Sequence, residues 1–252
     1  MIDLHTHILP GVDDGAEDLA MAIEMAEAAV RGGITVVAAT PHFFQLPDWG
    51  KIKALTAELQ RELDRAEIGL KVVPGGELFM DIEILDMAHS QIPTYAANGR
   101  YCLVEFPMQQ VPMYVEQVLF SLQTKGITPI IAHPERYLAV VNDPNLVLHW
   151  IELGCAVQMN SGSILGRFGQ RIVETAKIML EHNMVHVLAS DGHGVHRRGM
   201  NLPKAYAVVE KLIGTDRALE LVQGNPELIV RGEPISLEGA QRYQKRRRFW
   251  LF

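Results

Sequence analysis

Cysteine is scarce in this chain: Cys102 and Cys155 are the only two in 252 residues. Each sits within an apolar run, "YCLVEF" and "CAVQMN", where a cysteine behaves as a small buried hydrophobe rather than half of a redox pair. Neither is followed by arginine at Cys-x5-Arg spacing, which disfavours a phosphocysteine mechanism. Long apolar runs are missing too. No stretch approaches the roughly 20 residues needed to span a bilayer, and the N-terminus lacks a basic region followed by an apolar core. A cytoplasmic location is expected. Positive charge is in deficit: 23 Lys and Arg against 30 Asp and Glu give a net charge of -7, which argues against a general nucleic-acid binder. No fixed-period repeat or low-complexity segment occurs, and the 13 prolines and 21 glycines are too scattered to mark a linker.

What is present is ordinary globular composition, 48% hydrophobic and 21% charged, at a length that α/β barrels reach as one domain. Short β-branched runs alternate with longer amphipathic stretches, the pattern of βα units around a parallel sheet. The strand candidates are "MIDLH", "ITVVAAT", "KVVPGGE", "YCLVEF", "ITPIIAH", "CAVQMN" and "VHVLASD". Between the first two, Leu19, Ile23, Ala26 and Val30 recur at helical spacing before Gly32 and Gly33, which stop the helix. Further helices are expected near 52–67, 113–125, 143–153, 169–182, 203–212 and 216–223. Seven strands with intervening helices predict a closed or nearly closed barrel.

The chemistry-bearing residues stand where those runs end. His5 and His7, one residue apart in "IDLHTH", point to the same side if this segment is a strand. His42 follows the second run, Glu77 ends the third, Glu105 the fourth and His133 the fifth, while Asp191 and His193 close the seventh. In a βα barrel the strand C-termini share one mouth, where active sites form. Any one such residue is more often a surface or capping group, but six of the seven runs carry one, whereas His89, His149 and His182 fall elsewhere. Asp14 admits two roles: metal ligand, or N-cap of a capping box with Glu17.

Imidazole and carboxylate without thiolate suit manganese, iron or zinc. The candidates, with Asp14, outnumber what one ion can use, so two or three divalent ions are expected. Paired ions lower a bridging water towards a pKa of roughly 7 and grip a phosphoryl or carbonyl oxygen. Arg136 in "AHPERY" and Arg197 or Arg198 in "SDGHGVHRRG" lie beside ligand-bearing strand ends, and arginine's planar fork matches phosphate. Phe43, Phe44 and Trp49 are candidates either to line a substrate entrance or to pack locally.

The ordered set "DLHTHILPGVDDG", "ATPHF", "GGE", "VEF", "AHPERY" and "ASDGH" resembles the polymerase and histidinol phosphatase (PHP) superfamily. Within it, the chain is similar to the bacterial manganese-dependent tyrosine-protein phosphatases of capsular and exopolysaccharide biosynthesis. The resemblance implies an α/β fold, a distorted seven-stranded TIM-like barrel over residues 1–240, with a trinuclear site. His5, His7, Glu77 and Asp191 would surround the first ion. Glu77, Glu105 and His133 would hold the second, and Asp14, His42 and His193 the third, Mn2+ being the expected metal. Arg136 and Arg198 would hold phosphate. The implied substrate is a phosphotyrosine protein, the tail of a bacterial tyrosine kinase. His42 or a metal-bound water is a candidate proton donor to the leaving group. A small-molecule phosphomonoesterase such as a histidinol phosphatase is the alternative, and a non-catalytic interaction domain the third reading. The terminal stretch 241–252 gathers basic residues before Phe249, Trp250, Leu251 and Phe252, either as a frayed end or as a peripheral membrane contact.

Overall fold

The computed structural model describes residues 1–43, 48–195 and 198–244. Among these, the strands are β1 (Ile2–Thr6), β2 (Val36–Ala39), β3 (His42–Phe43), β4 (Lys71–Pro74), β5 (Glu77–Phe79), β6 (Tyr101–Glu105), β7 (Thr128–Ala132), β8 (Ala156–Asn160) and β9 (Val187–Ala189). The helices are α1 (Leu19–Arg31), α2 (Trp49–Arg65), α3 (Val115–Thr124), α4 (Leu138–Asn142), α5 (Asn145–Glu152), α6 (Ser161–Ile164), α7 (Gln170–Glu181), α8 (Leu202–Ile213), α9 (Thr215–Leu219) and α10 (Asn225–Arg231). Every strand pairing is parallel. The molecule is therefore an α/β fold, as the alternation of runs predicts.

The strands form two sheets, β1-β2-β4 and β3-β5-β6-β7-β8-β9, where the sequence suggests one. The division has a local cause. "ITVVAAT" runs on into "PHF", but Pro41 has no N–H to give a ladder, so the segment breaks between β2 and β3. "KVVPGGE" breaks at Gly75 and Gly76. A Cβ on Gly76 would lie 2.7 Å from the Phe43 ring and 2.8 Å from Pro93, so only glycine lets the strand cross there. At the other side, Asp191 donates its N–H to the His5 carbonyl at 2.9 Å, and His7 donates to the Gly192 carbonyl at 2.8 Å. These bonds bring the end of β9 against the end of β1.

Two buried apolar clusters support the strands, one including Leu4, Leu103, Ile130 and Val187, the other including Val37, Val104, Ile131 and Leu188 with the helices. Helix α1 forms as expected, but its buried face is Ala22, Met25, Ala26 and Ala29, while Leu19 and Val30 stay exposed. Small residues let the helix axis approach closely, which overrides the larger apolar side chains. The N-cap is Asp18, which accepts the Met21 N–H, so the capping role considered for Asp14 is ruled out. Phe43 and Trp49 are 3% and 7% exposed and meet edge to face at 6.2 Å, which makes them packing residues rather than an entrance. Phe44, Arg197 and the terminal aromatic residues lie outside the described residues. Main-chain contacts continue to Tyr243, whose N–H donates to Asn145 Oδ1 at 2.9 Å. No described helix is long and apolar enough to cross a membrane.

Candidate metal centre

The strand ends gather all of the side chains singled out as ligands. Nε2 of His5 and Nε2 of His7 stand 3.2 Å apart. Glu77 Oε2 lies 3.2 Å from the first and 3.5 Å from the second, and Asp191 Oδ1 lies 3.6 and 3.4 Å away. His133 Nε2 approaches Glu77 Oε1 at 2.9 Å and Glu105 Oε1 at 3.6 Å. His42 turns Nδ1 towards Glu77 Oε2 at 3.0 Å and Glu105 Oε2 at 4.0 Å. Its Nε2 lies 3.3 Å from Asp14 Oδ1, which is also 3.2 Å from His193 Nε2. Three subsets have ligand atoms close enough to share an ion: His5, His7 and Glu77; His42, Glu77 and Glu105; and His7, Asp14, His42 and His193.

The ring tautomers explain why these groups need a cation. His5 Nδ1 lies 2.9 Å from Gln158 Oε1, and His7 Nδ1 lies 2.7 Å from Asp13 Oδ2. Both partners are acceptors, so each ring carries its proton on Nδ1 and turns a lone pair inward on Nε2. Two lone pairs facing each other at 3.2 Å, with carboxylate oxygens beside them, repel unless a proton or a metal sits between. Glu77 Oε2, Asp191 Oδ1 and His193 Nε2 are buried without a hydrogen-bond partner, which leaves them for coordination. Ligand bonds of about 2.1 Å in a tetrahedron place ligand atoms about 3.4 Å apart, and the separations around His5 and His7 bracket that value. The donors present fit a divalent ion.

Titration behaviour follows from the same crowding. Burial alone would lower His5 and His7, but Glu77 and Asp191 beside them, with Asp13 on His7, hold both above the ordinary imidazole value. Burial would raise Glu77, yet His5 and its neighbours keep it well below the usual carboxylate range. Glu105 is pushed up to about 7 by burial and by the Glu77 charge. His133 falls to about 4 through burial and the nearby Arg136 cation.

Two of the ligand positions have left-handed backbone: His133 and Asp191 have φ of 32° and 53°, values uncommon for non-glycine residues. Gly15 is required for another reason: a Cβ there would lie 2.0 Å from the His7 carbonyl oxygen. That carbonyl accepts the Ala16 N–H, which seats the segment carrying Asp13 and Asp14 over the histidines.

Asp191 joins the centre to its arginines. Its Oδ2 accepts from Asn160 Nδ2 at 2.5 Å, Arg198 Nη2 at 2.7 Å and Arg136 Nη1 at 3.4 Å, while Oδ1 faces the histidines. Arg136 also lies over the Phe168 ring, 4.4 Å from its centroid. Asp13, Gln158, Asn160 and Glu135 were not among the residues expected from sequence. Glu135 is fully buried and accepts from Ser163 Oγ at 2.6 Å and Asn160 N at 3.0 Å. A signal existed for two of them: Gln158 and Asn160 are polar at alternate positions of the otherwise apolar "CAVQMN", hence on one side of β8. His89, His149 and His182 bond instead to Gly99, Glu116 and Ile178, away from the centre.

The profile of a family described as capsular polysaccharide synthesis, CpsB/CapC, matches residues 1–231. The chain belongs to the CpsB/CapC family. It is 38% identical to the tyrosine-protein phosphatase YwqE of Bacillus subtilis, over the full length of both chains. A solved structure from work on YwqE and on CpsB of Streptococcus pneumoniae, described as unique metal-dependent tyrosine phosphatases, superposes with a TM-score of 0.91. It has 38% identity and covers 97% of this chain and 100% of that one. The phosphotriesterase homology protein of Escherichia coli shares the fold alone, with a TM-score of 0.61 at 14% identity, covering 91% of this chain and 98% of that one.

Proposed function

We propose that this CpsB/CapC member is a metal-dependent protein-tyrosine phosphatase whose centre is built from the convergent strand ends. The observation that carries the reading is the convergence of the buried inward atoms of His5, His7, Glu77 and Asp191, the ring nitrogens lying 3.2–3.6 Å from each other and from the carboxylate oxygens, directly beside Arg136 and Arg198. In this reading His5, His7, Glu77 and Asp191 hold one ion, Glu77, Glu105 and His133 a second, and Asp14, His42 and His193 a third. Mn2+ is the metal we favour. Bound there, the ions supply Lewis acidity and a water acidified towards neutrality.

The chain's own groups do the rest. Arg136 and Arg198 turn from Asp191 Oδ2 to the phosphoryl oxygens, and Asn160 keeps its hydrogen bond to that oxygen as they go. Gln158 and Asp13 lock the imidazole rings. His42 directs both ring nitrogens at carboxylates of the centre, so we assign it to the ligand set, and protonation of the leaving phenolate falls to another donor. The two sheets act as one distorted seven-stranded barrel, with β2–β3 and β4–β5 each serving as a single bent strand. This is supported by the main-chain bonds between His7 and Gly192 and between His5 and Asp191. The domain comprises residues 1–240, with packing that runs on to Tyr243. The substrate is a phosphotyrosine protein of capsule synthesis, for which we favour the tail of a tyrosine kinase in the cytoplasm. The unpaired, buried Cys102 and Cys155 accord with a reducing compartment.

The test is initial rates of metal-stripped protein resupplied with Mn2+, on a phosphotyrosine peptide, a phosphoserine peptide and histidinol phosphate. Preference for phosphotyrosine, abolished in folded His5→Ala and Arg136→Ala proteins, is expected. Preference for histidinol phosphate would replace the substrate class, and no turnover of any of the three would remove the enzymatic reading.

A further inference from the structure

A cavity of about 590 Å³ opens from the metal centre along the start of α1. Its inner end is formed by Asp14, His193 and Arg198, and its outer wall by Glu17, Met21 and Glu24. A volume inside the roughly 300–1,000 Å³ range of ligand pockets exceeds what one phosphorylated aromatic side chain fills. His193, buried with Nε2 unpartnered, lines it, so the cavity is continuous with the groups that face the reacting phosphate.

Charge is sorted along this groove. Arg167 and Arg198 line both the cavity and the narrower cleft that reaches Asp191 and Asn160, so the cations stand on the phosphate side. Arg198 is already paired with Asp191 and Asp14. On the α1 side, Glu17 and Glu24 are exposed, and neither has an ion pair or side-chain hydrogen bond among the described residues. Helix capping does not account for them, because Asp18 holds that position, and α1 has no acidic residue in its first turn. Between them Met21 is half-buried, offering a polarizable floor suited to an aromatic or aliphatic stem. Glu24 lies six residues beyond the cap, roughly 9 Å at about 1.5 Å per residue, a distance an extended peptide covers in about three residues.

We infer that the groove between the start of α1 and Gly194 and Val195 binds the polypeptide flanking the phosphotyrosine, and that Glu17 and Glu24 select flanking lysine or arginine. The inference rests on the phosphotyrosine reading above and narrows its substrate class to tyrosines in basic context. A lysine near the phosphotyrosine pairs with Glu17, and a second about three residues away reaches Glu24. Acidic flanks are repelled by the same two carboxylates, while the phosphate itself is held by the arginines at the inner end.

The experiment compares kcat/KM for phosphotyrosine peptides carrying Lys, Gln or Glu beside and three residues from the phosphotyrosine, with free phosphotyrosine measured alongside. Two exposed ion pairs predict a preference of about fivefold for the Lys over the Gln peptide, fading at high salt. In Glu17→Gln/Glu24→Gln the Lys-to-Gln ratio should fall to one, and in Glu17→Lys/Glu24→Lys the Glu peptide should become the better substrate. Hydrolysis of free phosphotyrosine with no Lys preference, or a preference unchanged in the double Gln variant, overturns the groove assignment and leaves the phosphatase reading standing. Failure to hydrolyse any phosphotyrosine substrate removes both.

Discussion

Replacing Asn160 tests whether the outer oxygen of Asp191 must be held for the centre to form. Asn160 Nδ2 donates to Asp191 Oδ2 at 2.5 Å, and Asn160 Oδ1 accepts the Gly162 N–H at 2.9 Å. In Asn160→Ala both bonds vanish. A hydrogen bond to a charged acceptor contributes about 1.5–3 kcal/mol, and loss of an N-cap side chain costs about 1 kcal/mol, so the fold should lose about 3 kcal/mol. Asp191 would still have Arg198, but its carboxylate would be free to turn. Loss of a group that orients a metal ligand weakens binding by roughly 10- to 100-fold, so calorimetric titration of stripped protein with Mn2+ should show that shift at the tightest site. Asn160→Asp separates the two roles. It keeps the acceptor for Gly162 but sets a second carboxylate against Asp191 Oδ2, so it should spare much of the stability and still impair metal binding. An Asn160→Ala protein that melts as the parent does and binds Mn2+ within twofold of it would refute the reasoning.

Gly15→Ala puts a Cβ 2.0 Å from the His7 carbonyl, where backbone rather than a flexible side chain must yield. The cost should be about 1–3 kcal/mol of stability, with displacement of Asp13 and Asp14, read by thermal melting and by Mn2+ titration. His186 lies outside the centre. Burial, with the Arg217 cation, pulls it down to about 4, and its Nδ1 accepts the Val157 N–H. Between about pH 6.5 and 4 the unfolded chain binds a proton there that the folded chain does not, so stability falls as pH falls through that window, by up to ~3 kcal/mol. His186→Gln should flatten this part of the pH–stability curve, and an unchanged slope in denaturant titrations would count against it.

The sequence by itself determined the parallel α/β alternation, because β-branched runs of strand length and amphipathic stretches of helix length are local properties. It also determined which residue types stand at strand ends. Period two put His5 and His7 on one side, and the order of "ATPHF", "GGE", "VEF", "AHPERY" and "ASDGH" fixed the rest of the candidate set. The sheet division was only partly legible: Pro41 stands in the sequence, but the crossing at Gly76 depends on the Phe43 ring and Pro93 lying against it. The seating of Asp14 over His42 and His193, rather than on the helix cap, depends on Gly15 lying against the His7 carbonyl. Nor could the sequence show that Asp13 and Gln158 hold the imidazole protons outward, or that Asn160 shares the Asp191 oxygen with two arginines. Those are distances between residues far apart in the chain. Only tertiary structure sets them, because hydrogen bonds and coordination respond to separations of a few tenths of an ångström, whereas hydrophobic periodicity specifies only which side of an element faces inward.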